Sequence, residues 1–264
     1  IFMKRNKTLI TVLISNFNNA KYITQGINSI IKQKIKNIEI IVIDDQSSDE
    51  SVKKIKIFKN VKLLKTEKKT NYGSYNQMNA YKLGLKKAKG EIIFFMDSDD
   101  FFHIKKIKIL KEHFSKVNDN LLLDKPYIYF NKKKYYKLKI KKRSKFIIPW
   151  QNFSPQSCFV GKKKYLKEIF KKISIKKFPN IWLDFRIIAQ ATIDYGNIKI
   201  INEHLTFYRQ SPNSVSNKFK KFSKNWWIRR NEAHLFLRYI YKLNKKKMNI
   251  SVDSYFTKLI NLLI

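Results

Sequence analysis

The sequence predicts an α/β protein, with a mostly parallel central sheet flanked by helices and a helical tail. Three observations carry this. Over the first hundred residues, apolar β-branched runs alternate with stretches whose apolar residues recur at helical spacing. The runs are too apolar to have a wet face, as expected of a sheet covered on both sides. Two of them end in acidic clusters, Asp44-Asp45 and Asp97-Ser98-Asp99-Asp100. Parallel strands joined by right-handed crossovers bring both clusters to one edge, where ligands bind.

Residues 8–15 read as a first buried strand, and the turn-rich 16–19 follows. Residues 22–34 carry Ile23, Ile27, Ile30 and Ile31 at helical spacing. Residues 39–43 are a second buried strand, and a helix starts near Glu50. Residues 61–64 give a short third strand. A turn at 71–74 leads to a helix over 75–89, with Met78, Tyr81, Leu85 and Ala88 on one side and Gly90 as its C-terminal stop. Residues 92–97 form the strand on which the rest is organised. Beyond it, 127–130 and 157–160 read as strands, and 181–188 opens a helix. A strand runs from 199 to 209, and an amphipathic helix rich in Trp, Tyr and Leu starts at Asn225.

The chain has 264 residues and is 44% hydrophobic, enough for one large or two small domains. Cys158 is its one cysteine, so no internal disulfide and no Cys-based zinc site is expected, and a reducing compartment fits. No secretory signal pattern opens the sequence. No run reaches the roughly 18 apolar residues that span a bilayer. The formal charge is +38, but only seven of the 57 basic residues are Arg, which argues against a specific nucleic-acid reader. The Lys excess reads first as compositional bias and second as a polyanion-binding surface. The basic stretch 132–145, with Tyr135, Tyr136 and Leu138 between its charges, is a solvated hairpin or a polyanion grip. No Gly-x-Gly-x-x-Gly or P-loop is present, so neither a Rossmann dinucleotide site nor a P-loop is expected.

Asp97, Asp99 and Asp100 crowd three carboxylates into four positions, and these repel unless a cation sits among them. Oxygen-only ligands favour Mg²⁺ or Mn²⁺, which in turn binds phosphates. The alternative is an acidic turn that caps the next helix. Asp184 lies in an apolar helical stretch and needs a partner there. Either it pairs with Arg186 or a nearby Lys, or it sits in an active site with a raised pKa.

Several motifs in order resemble the family 2 glycosyltransferases: Ile14-Ser15-Asn16-Phe17-Asn18, Ile43-Asp44-Asp45-Gln46-Ser47-Ser48-Asp49, Asn71-x-Gly73 with Asn79, Gly90-Glu91, and Met96-Asp97-Ser98-Asp99-Asp100. The match is dense over residues 8 to 115 and thinner through Trp182-Leu183-Asp184 and Tyr208-Arg209. The resemblance implies a GT-A fold and an inverting transfer of sugar from a nucleotide-sugar. It implies a donor-binding half at 1–115, an acceptor-side half at 116–220 and a tail at 221–264. Ser15 and Phe17 would line the base pocket, with Asp45 accepting from the base and Asp44 beside it. Asn71, Gly73 and Asn79 would contact the nucleotide. Asp99 would hold Mg²⁺ or Mn²⁺, with Asp97 on the ribose or the metal. Asp184 would be the catalytic base, and Tyr208, Arg209, Ser214 and Ser216 would close over diphosphate and acceptor.

The resemblance also implies a UDP-sugar donor and a glycan or lipid-linked acceptor, used in cell-surface polysaccharide synthesis. It places the enzyme in the cytoplasm, in peripheral contact with an anionic membrane. Three positions depart from the pattern. Met78 stands where Arg is common, Ser211 where His is common, and Leu183 precedes Asp184 in place of an acid. The competing readings are a non-catalytic polyanion-binding module on a degenerate scaffold and a nucleotidyltransferase of similar architecture. The intact Asp97-Ser98-Asp99 argues against the first, and the missing Gly-rich loop against the second.

Overall fold

The computed structural model describes residues 9–67, 69–130, 135–138, 144–210 and 219–264. Ser211, Ser214, Ser216 and most of the basic stretch at 132–145 lie outside the described residues.

Four strands form the parallel half of the sheet: β1 (Ile10–Asn16), β2 (Ile38–Asp44), β3 (Val61–Lys65) and β4 (Ile92–Asp97), in the order β3-β2-β1-β4. Their alternate residues feed two cores. Ile10, Val12, Ile14, Phe94 and Met96 pack beneath α1 (Ile23–Ile31), α2 (Ser51–Lys56) and α4 (Lys106–Lys116). Leu13, Ile41, Ile43 and Phe95 pack beneath α3 (Gly73–Lys87), α5 (Lys163–Ile173), α6 (Leu183–Tyr195) and α7 (Lys224–Leu243). Burial on both faces is why these strands read as continuous apolar runs. Met78 is buried in the second core, a place where an Arg would have no water.

The later strands make the sheet mixed. β8 (Phe159–Lys162) runs antiparallel to β4 and to β6 (Leu121–Tyr129). Next, β9 (Lys199–Arg209) lies parallel to β6, and β5 (Phe101–Phe102) pairs antiparallel with β9. Within the basic stretch, β7 (Tyr135–Lys137) is exposed and pairs antiparallel with β6. Pro126 sits in β6 where the register with β9 shifts, the kind of place a strand tolerates proline. The expected tail is two helices, α7 and α8 (Val252–Leu263), packed on each other.

Gly90 is not a left-handed helix cap. Gly196 alone among the described glycines has a positive φ. Gly90 donates to Thr11 Oγ1 at 2.9 Å, and a Cβ there would meet the Thr11 nitrogen at 2.5 Å. The residue is glycine because the chain crosses hard against β1.

Candidate active site

Parallel register brings the functional ends together. Ser15 lies beside Ile43 on one side and Asp97 on the other, and Asn16 lies beside Asp44. At the β1–β2 corner the Asp44 carboxylate is fully engaged. It accepts from Asn16 Nδ2 at 2.7 Å, Ser47 Oγ at 2.6 Å and Ser47 N at 3.0 Å. Asp45, also buried, accepts from Thr66 Oγ1 at 2.6 Å. Phe17 is 43% exposed at the mouth of this corner, with Lys69 Nζ 3.7 Å from its ring centroid. An exposed aromatic face beside buried acceptors can stack on a planar base.

The acidic turn after β4 holds three carboxylates in different surroundings. Asp100 faces inward, accepting from Ser157 Oγ at 2.5 Å and from the Arg209 backbone N–H at 2.8 Å. Burial, with Asp99 and Asp97 nearby, holds its carboxyl well above the usual range. Asp97 accepts on Oδ1 from Gln77 Nε2 at 2.9 Å and Tyr81 Oη at 3.1 Å. Burial, the Asp99 charge and the Asp184 charge lift it to about 7. Asp99 is raised as well, by burial, against the Arg209 charge that pulls it down. The turn does not cap α4, whose N-cap is Lys105.

Asp184 sits in the first turn of α6, on the wall of a pocket of about 300 Å³ that includes Trp150, Trp182, Trp226, Arg229 and Arg230. Burial lifts its carboxyl to about 6, opposed by the Phe185 N–H and the Arg229 charge. The expected Arg186 pairing is not made. Residues two apart on a helix point about 200° apart, and Arg186 donates inward to the carbonyls of Ile173, Lys177 and Phe178 among others. A Cβ on Gly73 would lie 3.9 Å from the Trp182 ring, so the start of α3 abuts this pocket.

Asp97 therefore stands within electrostatic reach of both Asp99 and Asp184. Among the described residues no group of three or more His, Cys, Asp or Glu is spaced to hold a metal. Two repelling carboxylates still fit a cation that takes one or two protein ligands and draws the rest from substrate phosphates.

The family model of Glycosyl transferase family 2 matches residues 11–213. The chain belongs to glycosyl transferase family 2. It is 42% identical over 100 residues to an uncharacterized glycosyltransferase of Haemophilus influenzae, covering 36% of this chain and 38% of that protein. It is 29% identical over 211 residues to one of Nostoc sp., covering 76% and 64%. It is also 32% identical over 120 residues to the poly(ribitol-phosphate) beta-N-acetylglucosaminyltransferase TarP of Staphylococcus aureus, covering 44% and 36%. In each case the match spans less than two thirds of the relative. Among solved structures, S. aureus TarS 1-349 in complex with UDP superposes with a TM-score of 0.61 at 18% identity, covering 86% of this chain and 65% of that one. The same protein with UDP-GlcNAc gives 0.59 at 16%, covering 86% and 66%. This agreement places the family 2 chain in the GT-A fold.

Not every expected site residue of the family 2 chain lies with these acids. Asn79 is exposed on α3, about 200° round the helix from Gln77. Asn71 and Gly73 are exposed at the start of that helix, and Asn76 ties the loop by accepting from Thr70 N at 2.8 Å. Arg209 is buried as a brace. It donates to the Asp99 carbonyl at 2.7 Å and to Gln25 at 2.7 Å, with Tyr22 and Tyr129 against its guanidinium. Tyr208 is half-buried on β9 beside Ile128. Sequence reasoning passed over Gln77, Tyr81, Ser157 and Arg229. Gln77 and Tyr81 share a helix face by their spacing of four, a signal that was readable. Ser157 and Arg229 arrive from far along the chain.

Proposed function

We propose that this chain moves a sugar from a UDP-sugar to a glycan or lipid-linked acceptor, with inversion, in the synthesis of a cell-surface polysaccharide. The observation that carries the reading is Asp184 on the wall of an aromatic-lined pocket, within electrostatic reach of Asp97. Residues 1–115 bind the donor, residues 116–220 form the acceptor side, and the tail at 221–264 adds Trp226, Arg229 and Arg230 to the pocket wall. Phe17 stacks on the base, with Ser15 lining its pocket. Asp45 accepts from the base, and Asp44 keeps the corner in shape. Asp99 and Asp97 suit Mg²⁺ or Mn²⁺, which would steady the departing diphosphate. Asp184 takes the proton of the acceptor hydroxyl, for which a carboxyl near 6 is well matched to neutral pH. Trp150, Trp182 and Trp226 offer flat apolar faces to the acceptor sugar.

The donor class is supported by the TarS structures in complex with UDP and UDP-GlcNAc, and the acceptor class by the name of TarP. We further infer a cytoplasmic setting with peripheral contact to an anionic membrane. Calorimetric titration tests the donor assignment. UDP should bind more tightly with Mn²⁺ present than without it, and Asp99→Ala should erase that difference. Equal affinity for UDP, GDP and ADP would remove the support for a uridine donor.

A further inference from the structure

The last helix is built inside out. Ser254 and Thr257 of α8 are buried. Asp253 pairs with Arg230 at 2.6 Å and with His234 at 2.7 Å. Asn261 donates to the Trp227 carbonyl, and Arg238 to Ser254 Oγ. The polar face of α8 is thus the one that packs on α7. Val252, Tyr255, Phe256, Leu259, Leu262 and Leu263 recur at spacings of three and four and share the other face. They range from 37% exposed at Val252 to 78% at Leu263. The surface continues past the start of the helix. Phe146 and Ile147, whose carbonyls accept from Val252 N and Asp253 N, are 73% and 56% exposed. A helix that packs only on its own domain shows the reverse pattern. Scattered exposed apolar residues are ordinary, but a continuous stripe marks an interaction surface.

Charge selects the occupant. Lys258 on α8, and Lys245 and Lys247 in the turn before it, are all exposed. The acid on α8, Asp253, is neutralised by Arg230. A second copy would bring two chains of formal charge +38 together. An anionic bilayer instead offers acyl chains to the stripe and negative head groups to the lysines. We propose that α8 is an interfacial helix that seats the protein on an anionic membrane surface, apolar face down. This names the surface for the peripheral contact inferred above and rests on that reading, not on the chemistry of the transfer. No described helix is long and apolar enough to cross a membrane, so the helix lies in the plane of the interface. Because α7 is pinned to α8 and also carries Arg229 and Arg230 into the Asp184 pocket, seating α8 holds the acceptor side near the lipid.

Co-sedimentation of the full chain tests this, using vesicles of phosphatidylcholine alone and vesicles containing phosphatidylglycerol. The chain should bind the anionic vesicles, and less tightly as salt rises. Phe256→Ser and Leu259→Ser should each weaken binding by about tenfold, with thermal unfolding unchanged because both side chains are exposed. Lys258→Glu should weaken it further. Full binding by both apolar variants would overturn the role of α8 and leave peripheral contact standing. No binding of the wild-type chain would overturn both. A concentration-dependent dimer abolished by the same variants would overturn the proposal in favour of a second copy. Loss of binding only in Lys164→Glu and Lys167→Glu would also overturn it. That result would move the contact to the lysine-lined groove of about 600 Å³ at the amino end of β4.

Discussion

Substituting Lys106 by Met removes the ammonium from a buried network that stands directly behind the acidic turn. Both Lys106 and Asp124 have fully buried side chains, 2.9 Å apart. Lys106 Nζ also donates to the Ser157 carbonyl at 2.6 Å and to Thr206 Oγ1 at 2.5 Å. Ser157 in turn receives the Asp97 N–H and donates to Asp100, so the network shapes the site. Breaking a buried pair from one side costs about 3–5 kcal/mol, since the remaining charge has no water. Asp124 can relieve this by taking up a proton, and burial already raises its pKa with Lys106 beside it. The folded variant then holds a proton that the unfolded chain has lost above about pH 4. Its stability relative to wild type therefore falls as pH rises, by up to about 1.4 kcal/mol per pH unit. Urea unfolding at mildly acidic and mildly basic pH reads both quantities. Adding Asp124→Leu should recover most of the loss, because apolar replacements of buried pairs are often neutral or better. A loss under about 1 kcal/mol, the same at both pH values, would refute the reasoning.

Two further outcomes follow from the geometry. Arg229→Gln removes the positive charge that lowers Asp184, leaving burial to raise it. Asp184 must be ionised to accept a proton, so the acid limb of the rate profile should move up from about 6 by about one unit. Transfer then drops several-fold on the acid side and hardly at all above it; an unmoved limb would mean that Asp184 is not the base. Gly90→Ala drives a Cβ to 2.5 Å from the Thr11 nitrogen, and backbone cannot yield as a side chain can. A loss of about 1–3 kcal/mol in thermal or urea unfolding is expected, and wild-type stability would return Gly90 to a simple helix stop.

The parallel half of the fold was legible because its strands are buried on both faces. Ile92–Asp97 needed no partner to be read as a strand, and its acidic end pointed to the candidate site. The same local reading failed where contacts decide. Gly90 follows a helix, so it looked like a cap, yet its close approach to Thr11 spans most of the first hundred residues. Arg186 is near Asp184 in sequence but on the other side of α6, while Arg229 comes from a helix that starts far down the chain. β5 has two residues, too few for any periodic signal. In α5 the spacing of Leu166, Ile169, Phe170 and Ile173 is helical, but the surrounding lysines mask it. The mixed second half was hidden for a physical reason: strand direction is set by crossovers and tertiary pairing, not by residue pattern.

The most direct test is nucleoside diphosphate release from a panel of nucleotide-sugars, with a glycan acceptor and Mn²⁺, in the presence and absence of a chelator. The wild-type chain should turn over a UDP-sugar, and both the chelator and Asp99→Ala should abolish turnover. Asp184→Asn should still bind that donor without transferring from it. Failure to bind any nucleotide-sugar, or turnover untouched by Asp99→Ala and Asp184→Asn, would contradict the donor assignment and the roles of these two acids as metal ligand and base.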